Sequence, residues 1–460
     1  MGEKLGQNGL ANGFMRFSHY AIPRESLLNK RADVTPGGEY VTPFKDPSKR
    51  FGASLGTLSS GRVGITELCV TNLRLAVCIA IRYSAVRRQF GPTPDEELPV
   101  LEYQTQQWRL LPYVAAVYVI SHFSRRLHGE FVNFMIASMM GDKSDRQAEL
   151  GREIHAISST SKPLSGFTAR DGIQECREAC GGHGYLAVNR LGVLRDDNDP
   201  NLTYEGDNHV LLQQTSNYLL SLLTDKMAGG VVSSPLGSVD ILDSYQTVLR
   251  RRFSPPSTTS HLTHTDVLPV YEWLVCHLCV ESHHRLEQEL SRKKNGFIAR
   301  EESQVFYSHT LSLVFLEYLV VRWFAEFVEG ARQEGGGLYS VLCRLGNLYS
   351  VWCLHKHSAV LYEGGYFTSP GDAQLVKDSV LHFCRELKDE AVSLVDVIAP
   401  PDFILNSPIG HSSGQVYERL FQAMVTRPGS LERPSWWKEM AGQTAAGSLH
   451  SQIAPPRAKL

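Results

Sequence analysis

Helical periodicity dominates this sequence and leaves little room for a sheet. From about residue 58 to about residue 440 the apolar residues recur at the three- and four-residue spacing of helices. Only the first 45 or so residues have strand and turn character, with Gly and Pro between short apolar runs. So few strand residues cannot close a sheet or cover both its faces. The sequence therefore predicts a mainly α fold preceded by a few strands. Either those strands complete a sheet from elsewhere, or the chain begins partway through a domain, and we favour the second interpretation.

Four long helices are predicted in the first half of the chain. The first runs from about residue 58 to a stop at Phe90-Gly91-Pro92, and the second runs from Val100 past Phe123 with a kink at Pro112. The third covers residues 146–180 and ends at the stop Gly181-Gly182. The fourth covers residues 209–223. Asp207 or Asn208 is the predicted N-cap of the fourth helix. One helical stripe of the first helix is predicted to consist of Ile65, Leu68, Leu75, Ile79, Tyr83 and Val86.

Composition shifts divide the chain into four parts. The Gly- and Ser-rich segment 229–235 is a predicted linker, and residues 238–440 carry a second set of helical patterns without convincing strand pairs. Residues 441–460 are small, polar and Pro-containing, so we expect a flexible tail. The predicted units are therefore residues 1–45, 46–228, 238–440 and 441–460.

Charge and apolar patterning argue against nucleic-acid and membrane partners. Lys and Arg number 46 against 48 for Asp and Glu, which gives a formal net charge of −2. The apolar stretch 311–328 is interrupted by Glu317, Arg322 and Glu326, so it is predicted to be a buried helix and not a membrane span. The nine scattered cysteines favour a reduced interior, and a soluble intracellular protein is expected.

Cysteine and histidine clusters give no metal site. Cys276-His277-Leu278-Cys279 lacks a second Cys pair at zinc spacing, and its neighbours are those of a packed helix. We therefore predict that this segment is core and binds no metal. His283-His284 and the pair His355 and His357 are isolated, and they are predicted to lie on the surface.

Three motifs could instead carry chemistry, although each has an ordinary structural explanation. In Cys176-Arg-Glu-Ala-Cys180-Gly-Gly-His-Gly-Tyr185, glycines without Cβ either end a helix or let a planar or phosphate-bearing ligand approach the backbone. In Thr203-Tyr204-Glu205-Gly206-Asp207-Asn208, the glutamate either is solvated beside a helix N-terminus or acts as a base near an apolar pocket. In Arg87-Arg88-Gln89-Phe90-Gly91, the cations either complement a helix C-terminus or bind phosphate.

Together these motifs resemble the peroxisomal acyl-CoA oxidases, which are relatives of the acyl-CoA dehydrogenases. The resemblance includes Leu194-Arg-Asp-Asp-Asn-Asp-Pro200 and, near the end, the segment Pro401 to Gly410 with Val416-Tyr417-Glu418. It covers nearly the whole chain and is greatest to the branched-chain (pristanoyl-CoA) oxidases. It implies that residues 1–45 are a remnant of the middle β domain, residues 46–228 the flavin-binding helical bundle (C-alpha1), and residues 238–440 the C-terminal helical domain of the oxidases.

The resemblance also implies a reaction. Glu205 matches the family's catalytic base, which removes the pro-R α-proton of an acyl-CoA while the β-hydride passes to FAD and O2 reoxidises the flavin to give hydrogen peroxide. Arg62, Tyr204 and Gly206 match positions at the bound substrate.

The cofactor positions imply a partner subunit. Arg87, Gln89 and Phe90 match residues that reach the FAD of a neighbouring subunit, and Gly181 and Gly182 match a turn that packs on the cofactor. The resemblance therefore implies FAD as cofactor and at least a homodimer.

The terminal tripeptide Ala458-Lys459-Leu460 has the small–basic–Leu pattern that the peroxisomal import receptor reads, with Ala in place of Ser. It favours a peroxisomal location. A mitochondrial dehydrogenase is disfavoured by this tripeptide and by the extra C-terminal helical domain. The family's N-terminal helical domain and most of its β domain are expected to be absent from the chain. The alternative to an active oxidase is therefore a catalytically silent chain that pairs with a complete subunit.

Overall fold

The computed structural model describes residues 1–29, 32–43, 45, 58–257, 259–293, 295–304, 308–334 and 337–443. The described part of residues 1–45 contains one antiparallel hairpin, formed by β1 (Asp33–Val34) and β2 (Tyr40–Val41) with Asp33 opposite Val41. Nearly all other regular structure in the described ranges is helical, which confirms the predicted mainly α fold. The assignment of the hairpin to a β domain, like the four domain boundaries, stays a prediction.

A first group of helices surrounds α1. Its members are α1 (Leu58–Val86), α2 (Gln104–Met139), α3 (Asp145–Ala179), α4 (Gly181–Tyr185), α5 (Leu191–Asn198) and α6 (Asn208–Met227). The short 3-10 helices of this half are Arg24–Ser26, Val100–Glu102, Ala187–Asn189 and Asp199–Leu202. Helices α2 and α3 pack along α1, which places α1 at the centre of the bundle.

Burial of α1 extends beyond the predicted stripe. Within the predicted stripe Ile79 and Tyr83 are buried, but Leu68 and Val86 are about 40% exposed. The reason is that α1 packs against neighbours on several sides, so that residues outside one stripe, such as Cys69 and Leu73, are fully buried instead. The helix also ends at Val86, four residues before the predicted stop.

The other predicted helices of this half are observed with small shifts in their ends. Helix α2 continues through Pro112, where a kink stays a prediction, and α3 ends at Ala179, one residue before the predicted end. Helix α6 extends four residues beyond the predicted Leu223. Its N-cap is Asp207, whose carboxylate accepts hydrogen bonds from the amides of His209 and Val210. The polar loop before α6 is thus anchored to the helix that follows it.

The second half adds further helices that pack on the first group. They are α7 (Tyr245–Leu249), α8 (His264–Lys293), α9 (Gly296–Ser303), α10 (His309–Ala331), α11 (Gly337–His355), α12 (Ser358–Glu363), α13 (Pro370–Lys388), α14 (Ala391–Ile398), α15 (Asp402–Leu405), α16 (Val416–Val425) and α17 (Trp437–Gln443), with 3-10 helices at Asp240–Ser244, Arg332–Glu334 and Pro408–Gly410. Helix α17 extends three residues into the segment predicted as a flexible tail. Helices α11 and α13 pack on α2, and α14 packs on α1, so one hydrophobic core joins the two halves.

The linker between the halves is fixed by a buried carboxylate. Glu153 on α3 has no exposed surface and accepts hydrogen bonds from the Ser234 hydroxyl (2.6 Å), the Leu236 amide (2.9 Å), and both the amide and hydroxyl of Ser238. On the other side, Arg322 of α10 donates to the Gly237 carbonyl (2.6 Å). The end of the predicted linker and the residues directly after it are therefore bound to both halves.

A buried ion pair corrects one prediction from the sequence. His357 was expected at the surface, but it is only 8% exposed and its Nε2 lies 2.7 Å from an Oε of Glu317 on α10. Tyr271 donates to the same carboxylate at 3.1 Å. Burial alone would raise the pKa of Glu317, but the charge and hydrogen bond of His357 outweigh it and hold that pKa below its usual value. A carboxylate inside an apolar helix thus has its partners on two other segments of the chain.

The cysteines and apolar helices fit a packed interior. All nine cysteines are free, eight of them are buried, and Cys276 and Cys279 lie in the core as predicted. Residues 311–328 form part of the buried helix α10, as expected. Among the described helices only α1 is long and apolar enough to cross a membrane, and 61% of its most apolar window is buried inside the protein.

Candidate functional site

The loop that carries Glu205 has an unusual backbone. This segment, residues 203–207, is called the Glu205 loop; it follows the 3-10 helix Asp199–Leu202 and precedes α6. Glu205 (φ 54°) and Gly206 (φ 107°) both have positive φ angles. A left-handed conformation costs a residue with a side chain roughly 1–2 kcal/mol, so tertiary contacts must hold it. The Glu205 side chain is exposed, and its carboxyl group lies directly over Gly61 in the first turn of α1. The chain thus presents a carboxylate in a backbone geometry that needs support.

Arg62 supports the backbone of Glu205 from the interior of the protein. It is 6% exposed, its guanidinium donates to the Ser159 hydroxyl (3.1 Å), and its Nε lies 3.5 Å from the Glu205 carbonyl oxygen. Burial lowers the pKa of Arg62, and the charge of Glu205 partly offsets this. The predicted Arg62 and Glu205 are therefore adjacent, with the cation on the inner side of the loop.

Tyr204 and Gly206, both predicted to contact substrate, are also engaged within the protein. The Tyr204 hydroxyl donates to the Asn201 side chain, and burial raises the pKa of Tyr204. Gly206 has a φ of 107°, which residues with a side chain rarely adopt, and a Cβ there would lie 2.9 Å from the end of the Leu211 side chain, so this position favours glycine. The structure therefore brings all four residues predicted for catalysis and substrate binding to one place.

Lys162 lies under the same loop and was missed by the sequence analysis. Its ammonium donates to the Gly206 carbonyl (2.8 Å) and the Asn208 side-chain oxygen (2.7 Å), and the side chain is fully buried. Burial lowers the pKa of Lys162 to about 8. A signal was present in the sequence, because Lys162 is the only Lys, Arg, Asp or Glu between residues 154 and 169.

A second group of predicted residues lies beyond the other end of α1. Arg87, Gln89, Gly181 and Gly182 line a groove of about 360 Å³. Arg87 donates to the Gln89 side chain and to the Tyr417 hydroxyl, both at 2.7 Å. Four of the five residues predicted to bind the cofactor are thus brought together.

Phe90, the fifth predicted cofactor residue, does not line this groove. It is 73% exposed and has a φ of 57°, on the turn that follows α1. Its ring is therefore presented outward from the chain and not toward Arg87 and the glycines.

The floor of the groove contains residues that the sequence analysis did not assign to the site. The Tyr83 hydroxyl and the Nδ1 of His183 are 2.9 Å apart, and burial raises the pKa of Tyr83 to about 12. Burial and the neighbouring charge of Arg87 lower the pKa of His183, which favours its neutral form. A Cβ on Gly181 or Gly182 would meet no atom within 4 Å, so their backbone faces open space. The groove can therefore receive an anionic or planar part of a ligand beside one guanidinium.

The two groups lie far apart within one chain. Arg62 and Val86 are separated by 24 residues of helix, or about 36 Å at 1.5 Å per residue. Pockets for small ligands usually enclose about 300–1,000 Å³ and are on the order of 10 Å across. One compact pocket therefore cannot include both the Glu205 loop and the Arg87 groove.

Two predicted features lie outside the described residues. Ala458, Lys459 and Leu460, the predicted targeting tripeptide, lie in the undescribed part of the chain, as does the predicted boundary near residue 46. Within the described ranges, no group of three or more His, Cys, Asp or Glu side chains could hold a metal ion.

Comparison with known families and structures gives consistent matches. The sequence profile of the acyl-CoA oxidase C-alpha1 domain matches residues 55–220, and the acyl-CoA oxidase profile matches residues 263–445. The chain is 54% identical over 455 residues to human peroxisomal acyl-coenzyme A oxidase 3, which covers 98% of this chain and 65% of the human protein. It is 39% identical over 444 residues to acyl-coenzyme A oxidase acox-3 of Caenorhabditis elegans, covering 96% of this chain and 64% of the relative.

Solved structures match the fold over the same range. Acyl-CoA oxidase 1 of Arabidopsis thaliana has a TM-score of 0.84 at 29% identity, over 98% of this chain and 66% of that one. Acyl-CoA oxidase-1 of C. elegans, solved with FAD and ATP, has a TM-score of 0.80 at 26% identity, over 96% of this chain and 64% of that one. The chain thus spans about two thirds of the length of the relatives it matches.

Proposed function

The chain belongs to the acyl-CoA oxidase family, and from that premise we propose that it acts in the FAD-dependent oxidation of acyl-CoA to trans-2-enoyl-CoA, with O2 reduced to hydrogen peroxide. This is the first step of peroxisomal fatty acid β-oxidation. The observation that carries the proposal is the geometry of the Glu205 loop. Glu205 has a positive φ, its carboxylate lies over Gly61, and the buried cation of Arg62 lies next to its main-chain carbonyl. A solvated surface glutamate would need no such support.

Glu205 acts as the base. The α-proton beside a thioester is weakly acidic, so its removal requires a carboxylate held within hydrogen-bond reach of that carbon. Arg62 contacts the main-chain carbonyl of Glu205 and leaves the carboxylate free to face a ligand. The proton is then held on the Glu205 carboxyl group, whose exposed position lets it exchange after the product leaves.

The groove at Arg87 fits part of FAD. Arg87 is a cation suited to the pyrophosphate, and Gln89 offers amide hydrogen-bonding groups. The open backbone at Gly181 and Gly182 lets a flat ring approach closely. When bound, FAD supplies the hydride acceptor, which no side chain provides, and O2 takes the electrons.

A homodimer reconciles the two separated groups. Because the Glu205 loop and the Arg87 groove are about 36 Å apart on one chain, they serve the same flavin only if a second subunit supplies one of them. The outward-facing Phe90 ring supports this arrangement, since it is available to a neighbour. The site is therefore proposed to be shared between two subunits.

Substrate class and location follow from the resemblance. Branched or long acyl chains are proposed as substrates on the sequence resemblance to the branched-chain oxidases. A peroxisomal location is supported by relatives such as human peroxisomal acyl-coenzyme A oxidase 3, and by the tripeptide Ala458-Lys459-Leu460 that the import receptor would read.

The second candidate is a catalytically silent chain that pairs with a complete subunit. The exposed Glu205 side chain favours it, because an α-proton base works best where water is excluded. In that case the chain alone retains no flavin, and its contribution is the dimer surface.

Flavin retention and peroxide release separate the two candidates. The purified chain is mixed with FAD and desalted, and its visible absorption spectrum is recorded; peroxide release from branched and straight-chain acyl-CoAs is then measured. We expect retained flavin bands and peroxide release in the wild type. We expect Glu205→Gln to abolish turnover and keep the flavin, because only the base is lost. Glu178→Gln, an exposed change on α3, serves as the matched control.

Loss of all flavin on desalting would support the silent chain. Turnover by Glu205→Gln at the wild-type rate would remove Glu205 from the role of base.

A further inference from the structure

Lys162 is a buried cation whose environment calls for an explanation. It lies in the middle of α3, has no exposed surface, and is among the largest fully buried side chains of the described residues. An ammonium group away from water is costly unless it is closely hydrogen-bonded. A core position on α3 could be filled by an apolar residue at no such cost, so the contacts of Lys162 should account for it.

The Lys162 ammonium donates its hydrogen bonds to the Glu205 loop and to the first residue of α6. It donates to the Gly206 carbonyl at 2.8 Å and to the Asn208 side chain at 2.7 Å. Gly206 directly follows Glu205, and Asn208 lies two positions further along the chain. Gly166, one turn further along α3, leaves room for this contact, since a Cβ there would lie 3.0 Å from the Asn208 amide nitrogen.

The other supports of the loop are weaker or act elsewhere. Arg62 approaches the Glu205 carbonyl at 3.5 Å, which is long for a hydrogen bond. Asp207 caps α6 and so fixes the C-terminal side of the loop only. Among the described hydrogen bonds, the short contacts from Lys162 are therefore the strongest restraint on the peptide that follows Glu205.

We propose that Lys162 is a positioning residue that fixes the backbone of Glu205 and Gly206 through the Gly206 carbonyl and Asn208, and thereby aims the Glu205 carboxylate. The catalytic part of this inference rests on the proposed function, whereas the structural part concerns the loop alone. The Lys162 ammonium donates to the Gly206 carbonyl and the Asn208 side chain and not to the Glu205 carboxylate, so it acts on that carboxylate through the loop.

The protonation of Lys162 should affect the loop. The charged and titratable groups that face it are Arg62 and Cys69 from α1, and Glu205 and Asp207 from the loop. Because burial lowers its pKa to about 8, the ammonium loses its proton as the pH rises through that value. The neutral amine donates weaker hydrogen bonds, so the loop becomes less ordered at higher pH.

Hydrogen exchange measured by mass spectrometry tests the structural part without any activity. Lys162→Met keeps the length of the side chain and removes the donors, and Lys162→Arg restores a donor. Glu153→Gln changes another fully buried charge on the same helix without touching the loop, so it is the matched control.

We expect amides of residues 203–208 to exchange on the order of tenfold faster in Lys162→Met, with partial rescue in Lys162→Arg and no local change in Glu153→Gln. Equal acceleration in Lys162→Met and Glu153→Gln, or none in either, overturns the proposal.

The wild type itself provides a second test should Lys162→Met fail to fold. After correction for intrinsic rates, exchange of residues 203–208 should rise between pH 6.5 and 9 relative to peptides of α2. A parallel pH dependence in both regions contradicts the proposal.

Kinetics then address the catalytic part. In flavin-loaded protein, Lys162→Met should lower kcat by on the order of ten- to a hundredfold and leave the KM for acyl-CoA within about twofold, because a misaimed base affects the chemical step. Unchanged kcat would refute a role in aiming Glu205. If the wild type shows no turnover while the loop responds as expected, the proposed function fails and the positioning of the loop by Lys162 stands.

Discussion

Replacement of Gly61 by alanine tests whether the Glu205 carboxylate works where the structure places it. A Cβ on Gly61 would lie 2.9 Å from the carboxyl carbon of Glu205 and 3.0 and 3.2 Å from its two oxygens. Gly64, one turn later on α1, has no atom within 4 Å of the corresponding position. Gly64→Ala is therefore a matched control, with the same change on the same helix and an empty space above it.

The size of the effect follows from these distances. Carbon atoms in contact prefer about 3.5–4.0 Å, so the Glu205 carboxyl group must retreat by roughly 0.6–1 Å in Gly61→Ala. The atoms that move are the end of a flexible side chain, and the main chain can stay in place. Alanine in a helix is favoured over glycine by about 0.5–1 kcal/mol, so both variants should fold and melt at or above the wild-type temperature. A displacement of about 1 Å of a reacting group costs on the order of a hundredfold in rate.

Melting temperature and peroxide release in the presence of FAD and acyl-CoA check this prediction. We expect Gly61→Ala to lose on the order of a hundredfold in kcat with unreduced stability, and Gly64→Ala to match the wild type in both. Equal turnover by the two variants would refute the reasoning, because it would mean that the carboxylate does not act from its position over Gly61.

Two further predictions concern buried carboxylates away from this loop. Glu153→Gln places an amide donor against the donors of the linker, such as the Leu236 amide, and should reduce the free energy of unfolding by about 2–4 kcal/mol and speed proteolysis of residues 229–237. The exposed Glu178→Gln should change the free energy of unfolding by less than about 1 kcal/mol. Urea titration and limited proteolysis measure both effects, and unchanged proteolysis of residues 229–237 in Glu153→Gln contradicts the role of Glu153. Because His357 holds the pKa of Glu317 below its usual value of 4.5, the stabilisation from this carboxylate is complete above about pH 4.5 and is lost as the pH falls through the lower folded-state pKa. Urea titrations from pH 3 to 6 should show this loss in the wild type and not in Glu317→Gln, and parallel curves would disprove it.

Sequence patterns predicted elements whose determinants are local. The C-terminal end of α3 was predicted to within one residue, because Gly181-Gly182 is a helix stop that depends little on tertiary packing. The stripe predicted on α1 is only partly buried, with Leu68 and Val86 about 40% exposed, because which sides of a helix are buried depends on how many neighbours surround it. A local signal thus located the end of α3, whereas tertiary packing determined which residues of α1 are buried.

The candidate site shows the same difference between what local sequence signals predict and what tertiary packing decides. Arg62 and Glu205 were predicted from their motifs, and their proximity across 143 residues of sequence follows from the pairing of α1 with the loop before α6. Lys162 was missed although it stands alone in an uncharged run, because periodicity does not say whether a lone lysine in a helix is buried or solvated. His357 was misplaced because its partner, Glu317, lies 40 residues away on another helix.

The length and burial of helix α1 explain why the Glu205 loop and the Arg87 groove are separated within one chain. Its first turn contains Gly61, which leaves space for the Glu205 carboxylate, and Arg62, which holds the loop from below. Its last turns lead to Tyr83 and Arg87 in the groove, about 36 Å away. Because α1 is buried by α2, α3 and α14, this distance is rigid, and one chain cannot bring its own two groups together. Under the proposed function, the length of this helix is therefore what makes each subunit depend on a partner.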